Sequence, residues 1–347
     1  MNPVNVAVVG ATGAVGSEVL RILEERAFPL ASLRPTATAR SAGRRLRFAG
    51  DEIEVVETSK NAFAGIDIAI FDTPDDAALE WVPVAQHAGV VCVDNSAAFR
   101  LRDDVPLVVP EVNPDAAAAH TGIIANPNCT MVTLLMPLAP LHRAARAVRV
   151  IASSYQSVSG AGVAGVDDLY EQLEKLTPER DAVRDGEVDA LLSPGRAFVH
   201  PIAFNVIPHV GSFDADGATS EERRVRDETR KVLGAPGIEI FATTVRVPTV
   251  RAHGIAAWVE FEGEIDPAQA RRILTTAPGV VVADDPASTL YPTSLMASGK
   301  DKAYVGRIRS GGAPNALGFF ATCDNLRKGA ALNTVQIAEL LVERGLL

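Results

Sequence analysis

Cysteine is scarce: only Cys92, Cys129 and Cys323 occur in 347 residues. An odd, scattered set makes no disulfide framework and fits a reducing compartment. No apolar run approaches the roughly 18 residues of a membrane span. The opening MNPVNVAVVGATGAVG has no basic stretch leading into an apolar run and a small-residue cleavage site. No signal peptide is therefore expected, and the protein is expected to be cytoplasmic and not membrane-bound. Basic charge is also short. The 33 Lys and Arg against 43 Asp and Glu leave a formal net charge of −10, which argues against a general nucleic-acid binder. Internal repeats and low-complexity tracts are missing too.

The composition that remains is that of an ordinary globular protein, 47% hydrophobic and 22% charged, and the length suggests two domains. Val4 to Val9 is a β-branched run that reads as a buried strand, followed by a glycine-rich turn and helical spacing over Ser17 to Arg26. Extended segments at 34–39, 66–71, 90–93 and 123–125, with a helix at 77–88, continue the alternation. Such alternation predicts α/β: a doubly wound, Rossmann-type parallel sheet. From about Ala147 the strands are longer and more alternating (148–155, 255–262), with a polar, irregular stretch at 177–217 between them. These predict an α+β part with a mixed sheet. The last segment, 328–347, reads as a helix. The expected division is a nucleotide-binding domain over 1–128, completed by 326–347, and a second domain over 129–325.

Gly10-Ala11-Thr12-Gly13-Ala14-Val15-Gly16 follows a strand and opens a helix. There, glycines let the backbone approach a pyrophosphate, and the helix start offers N–H groups and partial positive charge. The plain alternative is a tight turn with no ligand. An acid at the end of the second strand would hold ribose hydroxyls. The segment Thr38-Ala39-Arg40-Ser41-Ala42-Gly43 has none, and Arg40 with Ser41 suits a 2′-phosphate, so NADP is expected over NAD.

Cys129 follows Asn126-Pro127-Asn128 and precedes an apolar run, which predicts a helix that starts at the cysteine and is kinked or ended by Pro137. A helix N-terminus favours thiolate, the form that attacks acyl groups. Cys92 and Cys323 lie inside apolar strands and read as buried small hydrophobes. The base is less determined. His253 sits on an expected loop, where functional residues concentrate, yet spacing alone does not separate it from His209 or His200.

Several stretches occur in order along nearly the whole chain: GATGAVG (10–16), ARSAG (39–43), DNSAAFR (94–100), NPNC (126–129), SYQSVSGAG (154–162), EER (221–223), RVPTVRAHG (246–254) and DNLRKGAALNTVQIAELL (324–341). Together they resemble the aspartate-semialdehyde dehydrogenases. The resemblance implies that Cys129 is the nucleophile, His253 the general acid/base, and Gln156 the residue that orients substrate near the thiol. It implies Arg246 as a carboxylate clamp, Glu221 as partner of the substrate ammonium, and Arg100, with Asn128 beside it, at the phosphate. Gly10, Thr12, Gly13, Ala14 and Val15 would hold the pyrophosphate, Arg40 and Ser41 the 2′-phosphate, and Ser159, Gly160 and Asn325 the nicotinamide end. No metal is implied. One departure is Arg224, where the family commonly has lysine; it supplies a cation as a fork rather than a point charge. The other arginines nearby, Arg223, Arg226 and Arg230, read as a solvated helix face.

The implied chemistry is reduction of aspartyl 4-phosphate by NADPH through a thioester, serving lysine, threonine and methionine synthesis, in a homodimer or dimer of dimers. The alternatives are an N-acetylglutamyl-phosphate reductase-like enzyme, a non-catalytic paralogue, and a Cys/His hydrolase, which the nucleotide turn disfavours.

Overall fold

A computed structural model of the chain describes residues 2–188, 191 and 193–347. It divides into two compact units. The first is Met1–Ala139, Asp227–Gly237 and Leu326–Leu347; the second is Pro140–Arg226 and Ile238–Asn325. The segments 129–139 and 227–237 thus lie with the first unit, and the division falls inside two helices, Cys129–Ala145 and Ser220–Leu233.

The first unit is built on a six-stranded parallel sheet. Its order is Val56–Glu57, Leu30–Ala37, Val4–Val9, Ile68–Phe71, Val91–Asp94, Ile123–Ala125. The chain leaves Val4–Val9 to one side and returns on the other, so the strand order reverses at that strand. In open α/β sheets this switch point is where ligands sit. The helix Ala14–Glu25 buries Val19, Leu20, Ile22 and Leu23 against Val6, Val8, Ile68 and Ile70, and the closing helix Leu332–Arg344 adds Val335, Ile337 and Leu341 to the same core. Each such side chain contributes about 1.5–3 kcal/mol when fully buried. That closing segment begins as a π-turn, Arg327–Ala331, rather than as regular α-helix.

Cys129 does open a helix, but Pro137 does not end it. The helix runs through Pro137 and Pro140 to Ala145. A mid-helix proline costs about 3 kcal/mol, whereas Leu134, Leu135, Leu138 and Leu141 are all essentially completely buried. Four such burials outweigh two prolines.

The second unit carries a mixed six-stranded sheet. Its order is Glu239–Arg246, Ala147–Gln156, His253–Phe261, Ala316–Cys323, Ala303–Ser310, Val280–Val282. The first pair is parallel and the next three pairs antiparallel. Ala147–Gln156 alternates cleanly, with Val150, Ala152, Ser154 and Gln156 buried. Ile151 and Tyr155 face the other way, exposed, beside Phe241. The register puts Gln156 opposite Arg246 and Tyr155 opposite Gly254. Three chemically distinct residues, Gln156, Arg246 and His253, therefore meet at one end of the sheet. Cys323 pairs with His253, which brings Asn325 to that end as well. His253 opens a strand; it is not on the loop expected for it. In the polar stretch 177–217 a short helix, Arg180–Asp185, forms, while 189, 190 and 192 lie outside the described residues.

Candidate active site

In the first unit the turn after Val4–Val9 is shaped by its glycines. Gly10 adopts φ +87°, and any side chain on it would overlap the Asp72 carbonyl; one on Gly16 would overlap the Gly10 carbonyl. Gly13 is exposed and starts the helix as its N-cap, with no side-chain cap bond. Asp72, which follows the neighbouring strand Ile68–Phe71, accepts from the Gly16 N–H at 2.9 Å. That leaves the Ala14 and Val15 amides of the first turn, which have no partner within the helix. A backbone cradle closed to side chains, with helix-start amides, fits a pyrophosphate. Burial raises the Asp72 carboxyl, against hydrogen bonds from Asn95 and Gly16. Thr12 is half-buried in the turn, Arg40 stands exposed beyond Leu30–Ala37, and Ser41 is buried, its N–H bound to the Thr38 carbonyl.

At the far end of the same sheet, Asn128 caps the Cys129 helix. Its Oδ1 accepts from the amides of Thr130 (2.9 Å) and Met131 (3.0 Å). Cys129 therefore occupies the first helical position, where the helix end stabilises negative charge, and it is half-buried, whereas Cys92 and Cys323 are buried. Burial pushes the Cys92 thiol up, and Asp94 adds to this, as suits an inert thiol. The sequence placed Asn128 beside phosphate; its side-chain oxygen is committed to the cap.

Arg100 is buried. Its Nη1 donates to Glu228 at 3.2 Å and its Nη2 to the Asn95 carbonyl at 2.7 Å, while its Nε has no hydrogen-bond partner among the described residues. Burial opposes its charge, but Glu228 overcomes this, with smaller help from the Cys129 thiolate and Asp94. Glu228 also accepts the Asn128 N–H at 2.6 Å. One carboxylate thus holds both the guanidinium and the loop before the cysteine. Lys231, one turn on, donates to the carbonyls of Arg100, Arg102 and Val105. Sequence reading missed Glu228 and Lys231. The available signal was the stripe 221, 225, 228, 229, 232 of Ser220–Leu233, which is wholly buried; a buried glutamate is rare unless paired.

In the second unit His253 is buried and set among Ser157, Arg246 and Gly160. The Ser157 N–H points at its Nδ1 at 3.1 Å, and Ser157 Oγ lies 3.0 Å from the same nitrogen. Burial, and then the Arg246 guanidinium, hold the imidazole well below its usual pKa. Of the other two histidines, His200 is exposed and His209 stacks on Phe213, with ring centroids 4.3 Å apart. Arg246 donates to the Ser157 carbonyl at 2.7 Å and lies over the Phe198 ring. A side chain on Gly160 would stand 2.8 Å from Arg246 Nη1 and 3.3 Å from His253 Nε2, so glycine keeps that space clear. Gln156 donates to the buried Glu221 at 3.0 Å, and Arg224 approaches Glu221 at 3.6 Å. Arg223 pairs with Asp214 and Asp216 at the surface.

Asn325 was expected at the nicotinamide. Its side chain is committed within the protein: Oδ1 accepts from Ser157 Oγ (3.0 Å), Ser159 Oγ (3.3 Å) and the Ala252 N–H (3.0 Å), and Nδ2 donates to Ser159 Oγ. Ala252 is held at φ +70°, a left-handed conformation costly for alanine. The bond from Asn325 secures that strained residue directly before His253.

Residues 5–120 match the family "Semialdehyde dehydrogenase, NAD binding domain", and residues 138–328 match "Semialdehyde dehydrogenase, dimerisation domain". The aspartate-semialdehyde dehydrogenase of Aquifex aeolicus is 44% identical, covering 99% of each chain. That of Corynebacterium glutamicum is 44% identical over 97% of this chain and 99% of its own. The crystal structure of aspartate semialdehyde dehydrogenase II from Vibrio cholerae, complexed with ASA, superposes with a TM-score of 0.92 at 38% identity, covering 99% of both chains. An enzyme of the same name from Candida albicans, solved with NADP, shares the fold at a TM-score of 0.76 and 20% identity, over the full length of both chains.

Proposed function

The chain belongs to the aspartate-semialdehyde dehydrogenase family, and on that premise we propose how its residues carry the reaction. The activity is NADPH-dependent reductive dephosphorylation of L-aspartyl 4-phosphate to L-aspartate 4-semialdehyde, a step toward lysine, threonine and methionine. The acetylated-substrate alternative is not favoured: a buried Glu221 suits a free ammonium.

The observation that carries the residue assignment is the half-buried Cys129 at the first position of a capped helix, beside an arginine with an unused buried donor. Cys129 attacks the acyl carbon as thiolate. The acyl–oxygen bond breaks, and phosphate leaves toward Arg100, with Arg224 as a second cation. Arg246 clamps the α-carboxylate, Glu221 receives the ammonium, and Gln156, fixed by its bond to Glu221, orients the substrate. His253 serves as the general acid/base that manages the protons of the reaction. NADP is held by Gly10, Thr12, Gly13, Ala14 and Val15 at the pyrophosphate and by Arg40 and Ser41 at the 2′-phosphate, with Ser159 and Gly160 toward the nicotinamide; in reduced form it supplies the hydride that converts the thioester into a thiohemiacetal. Collapse then expels the Cys129 thiolate and frees the aldehyde.

On this reading the first unit is the nucleotide domain and the second the catalytic, dimerising one, with 129–139 and 227–237 belonging to the first rather than to the second as the sequence suggested. The dimer would form through the second unit, whose sheet exposes Ile151, Tyr155 and Phe241 on one face. Among the described residues no helix is long and apolar enough to cross a membrane, and the reading places the enzyme in the cytoplasm. The test is to mix aspartate semialdehyde, phosphate and NADP and follow NADPH absorbance. Phosphate-dependent NADPH formation is expected; no reaction with this substrate, or one indifferent to phosphate, sinks the proposal.

A further inference from the structure

Three polar residues follow directly on three neighbouring strands of the parallel sheet: Asp72 after Ile68–Phe71, Asn95 after Val91–Asp94 and Asn126 after Ile123–Ala125. Their backbone amides continue the strand pairing, Asp72 onto the Val9 carbonyl, Asn95 onto that of Phe71 and Asn126 onto that of Asp94. Their side chains therefore line up across the carboxyl edge of the sheet and bond in sequence. Asn126 Nδ2 donates to Asn95 Oδ1 at 2.7 Å, and Asn95 Nδ2 to Asp72 Oδ1 at 3.1 Å. The other Asp72 oxygen receives the Gly16 N–H of the glycine turn. Behind Asn126 the row continues: Lys328 Nζ donates to Asn333 Oδ1 at 2.7 Å, and Asn333 Nδ2 to Asn126 Oδ1 at 2.6 Å. An ammonium only donates, so the lysine end fixes the direction of all three amides, and the row ends on an Asp72 oxygen that accepts. Asn95 has a second attachment: its carbonyl accepts Arg100 Nη2 at 2.7 Å.

We propose that Asn95 is a positioning residue: its side chain ties Asn126, in the loop ahead of Cys129, to Asp72 against the glycine turn, and its carbonyl holds Arg100, so that the thiol, the phosphate cation and the nucleotide turn keep fixed mutual places. This rests on the function proposed above.

The loop from Asn126 is short. Asn128, which caps the Cys129 helix, lies two residues on, so a shift at Asn126 carries the helix start and its thiol with it. A reacting group misplaced by about 1 Å can lose about a hundred-fold in rate, whereas the fold loses one bond among the many in this unit. Asp72 keeps the Gly16 N–H when Asn95 is cut away, so the nucleotide turn stays formed. Loss of Asn95 should therefore show in the rate of the chemistry and leave cofactor binding in place.

The test compares full-length variants well below their melting temperatures. Asn95→Ala should lower kcat by about 10- to 100-fold and leave KM for NADP within about three-fold of wild type. NADP should raise its melting temperature as much as it raises that of wild type. A kcat close to wild type in the folded variant would reduce the row to a fold support and overturn the proposal. Loss of the NADP-induced rise would make Asn95 a cofactor-binding residue and overturn it too. An exchange of side chains tests the bond itself, and holds even if Asn95→Ala does not fold. Asp72→Asn sets N–H against the N–H of Asn95, and Asn95→Asp sets carboxylate against carboxylate. The double exchange restores every bond of the row: the amide at position 72 accepts from Gly16 and donates to the carboxylate at position 95, whose other oxygen accepts from Asn126. Both single variants should lose kcat, and the double should regain at least about ten-fold over either. A double variant no better than the singles overturns the proposal. If wild type forms no NADPH from the semialdehyde and phosphate, the underlying reading has failed; if wild type turns over and Asn95→Ala keeps its kcat, only the role of Asn95 has.

Discussion

The two compact units hold their functional side chains by different physics. In the first, the cysteine end is fixed by charge: Glu228 binds Arg100 and the Asn128 amide, and Lys231 ties down the following loop. In the second, His253 is fixed by neutral groups: the Ser157 amide and hydroxyl, with Asn325 behind them. The difference fits the roles proposed above for the two ends. On the proposed reading the first region receives phosphate and keeps a cation in place, and a buried guanidinium unsupported by a carboxylate would be costly. The neutral hydrogen bonds around His253 hold the imidazole in one orientation without adding charge to a buried site.

The largest break in this comparison is Cys129→Ser. We expect turnover to fall at least about a thousand-fold, because a serine hydroxyl offers no comparable anion at neutral pH. NADP should still raise the melting temperature, since the turn at Gly10–Gly16 is untouched. Activity close to wild type would end the thioester mechanism.

Next come the two arginines. Losing a buried charged partner costs about 2–5 kcal/mol, or roughly 30- to several-thousand-fold. Arg246→Lys should chiefly impair use of the semialdehyde, because lysine cannot bond the Ser157 carbonyl and also grip a carboxylate with a fork. Arg100→Ala should chiefly raise KM for phosphate. Exchanged phenotypes, or no effect on either substrate, would break the assignment.

Glu228→Gln tests charge against hydrogen bonding in the first unit. Glutamine can still accept the Asn128 amide but leaves Arg100 without its carboxylate. Breaking a buried pair costs about 3–5 kcal/mol, so the melting temperature should drop clearly, while added phosphate restores part of it by supplying the missing anion. A variant as stable as wild type would show that the pair is not what holds this end.

Arg40→Ala should raise KM for NADP about ten-fold, the value of one charge-assisted bond at an exposed position, with NAD nearly unaffected. Equal effects on both cofactors would reduce Arg40 to a surface charge.

How much of this was legible beforehand divides along the same line. Both sheets, the glycine turn and the helix start at Cys129 were readable, because each has a local pattern: β-branched runs, glycine spacing, an Asn-Pro-Asn lead-in. Whether Pro137 would end the helix or leave it running was not, since local cost loses there to burial that only the fold reveals. Choosing His253 over His209 and His200 by spacing failed for a related reason. The strand register, not the sequence around the histidine, brings Gln156, Arg246 and Asn325 to its side. Glu228 and Ser157 look like ordinary polar residues of a charged helix and a serine-rich loop, and what distinguishes them is burial and partner geometry.

The last expected effect is on stability against pH, where it builds up only gradually, and here the two units should answer acid with opposite signs. In the second unit the His253 pKa is held well below 6.5 by burial first and by Arg246 next. Between that depressed value and 6.5 the unfolded chain binds a proton that the folded one does not, so stability is lost as pH falls through 6.5. The slope approaches about 1.4 kcal/mol per pH unit. In the first unit burial pushes Asp94 up to about 6, against hydrogen bonds from Ser96. There the folded chain binds the extra proton between the ordinary carboxylate value and about 6, so stability is gained as pH falls through that window. Melting temperatures of wild type and His253→Gln, measured from pH 8 to pH 5, isolate the first of these, because every other group is common to both proteins. The difference, variant minus wild type, should be flat above about pH 7 and grow steadily below 6.5. A difference that stays constant across the range would mean that His253 has the same proton affinity folded and unfolded, and that the second unit does not hold it neutral.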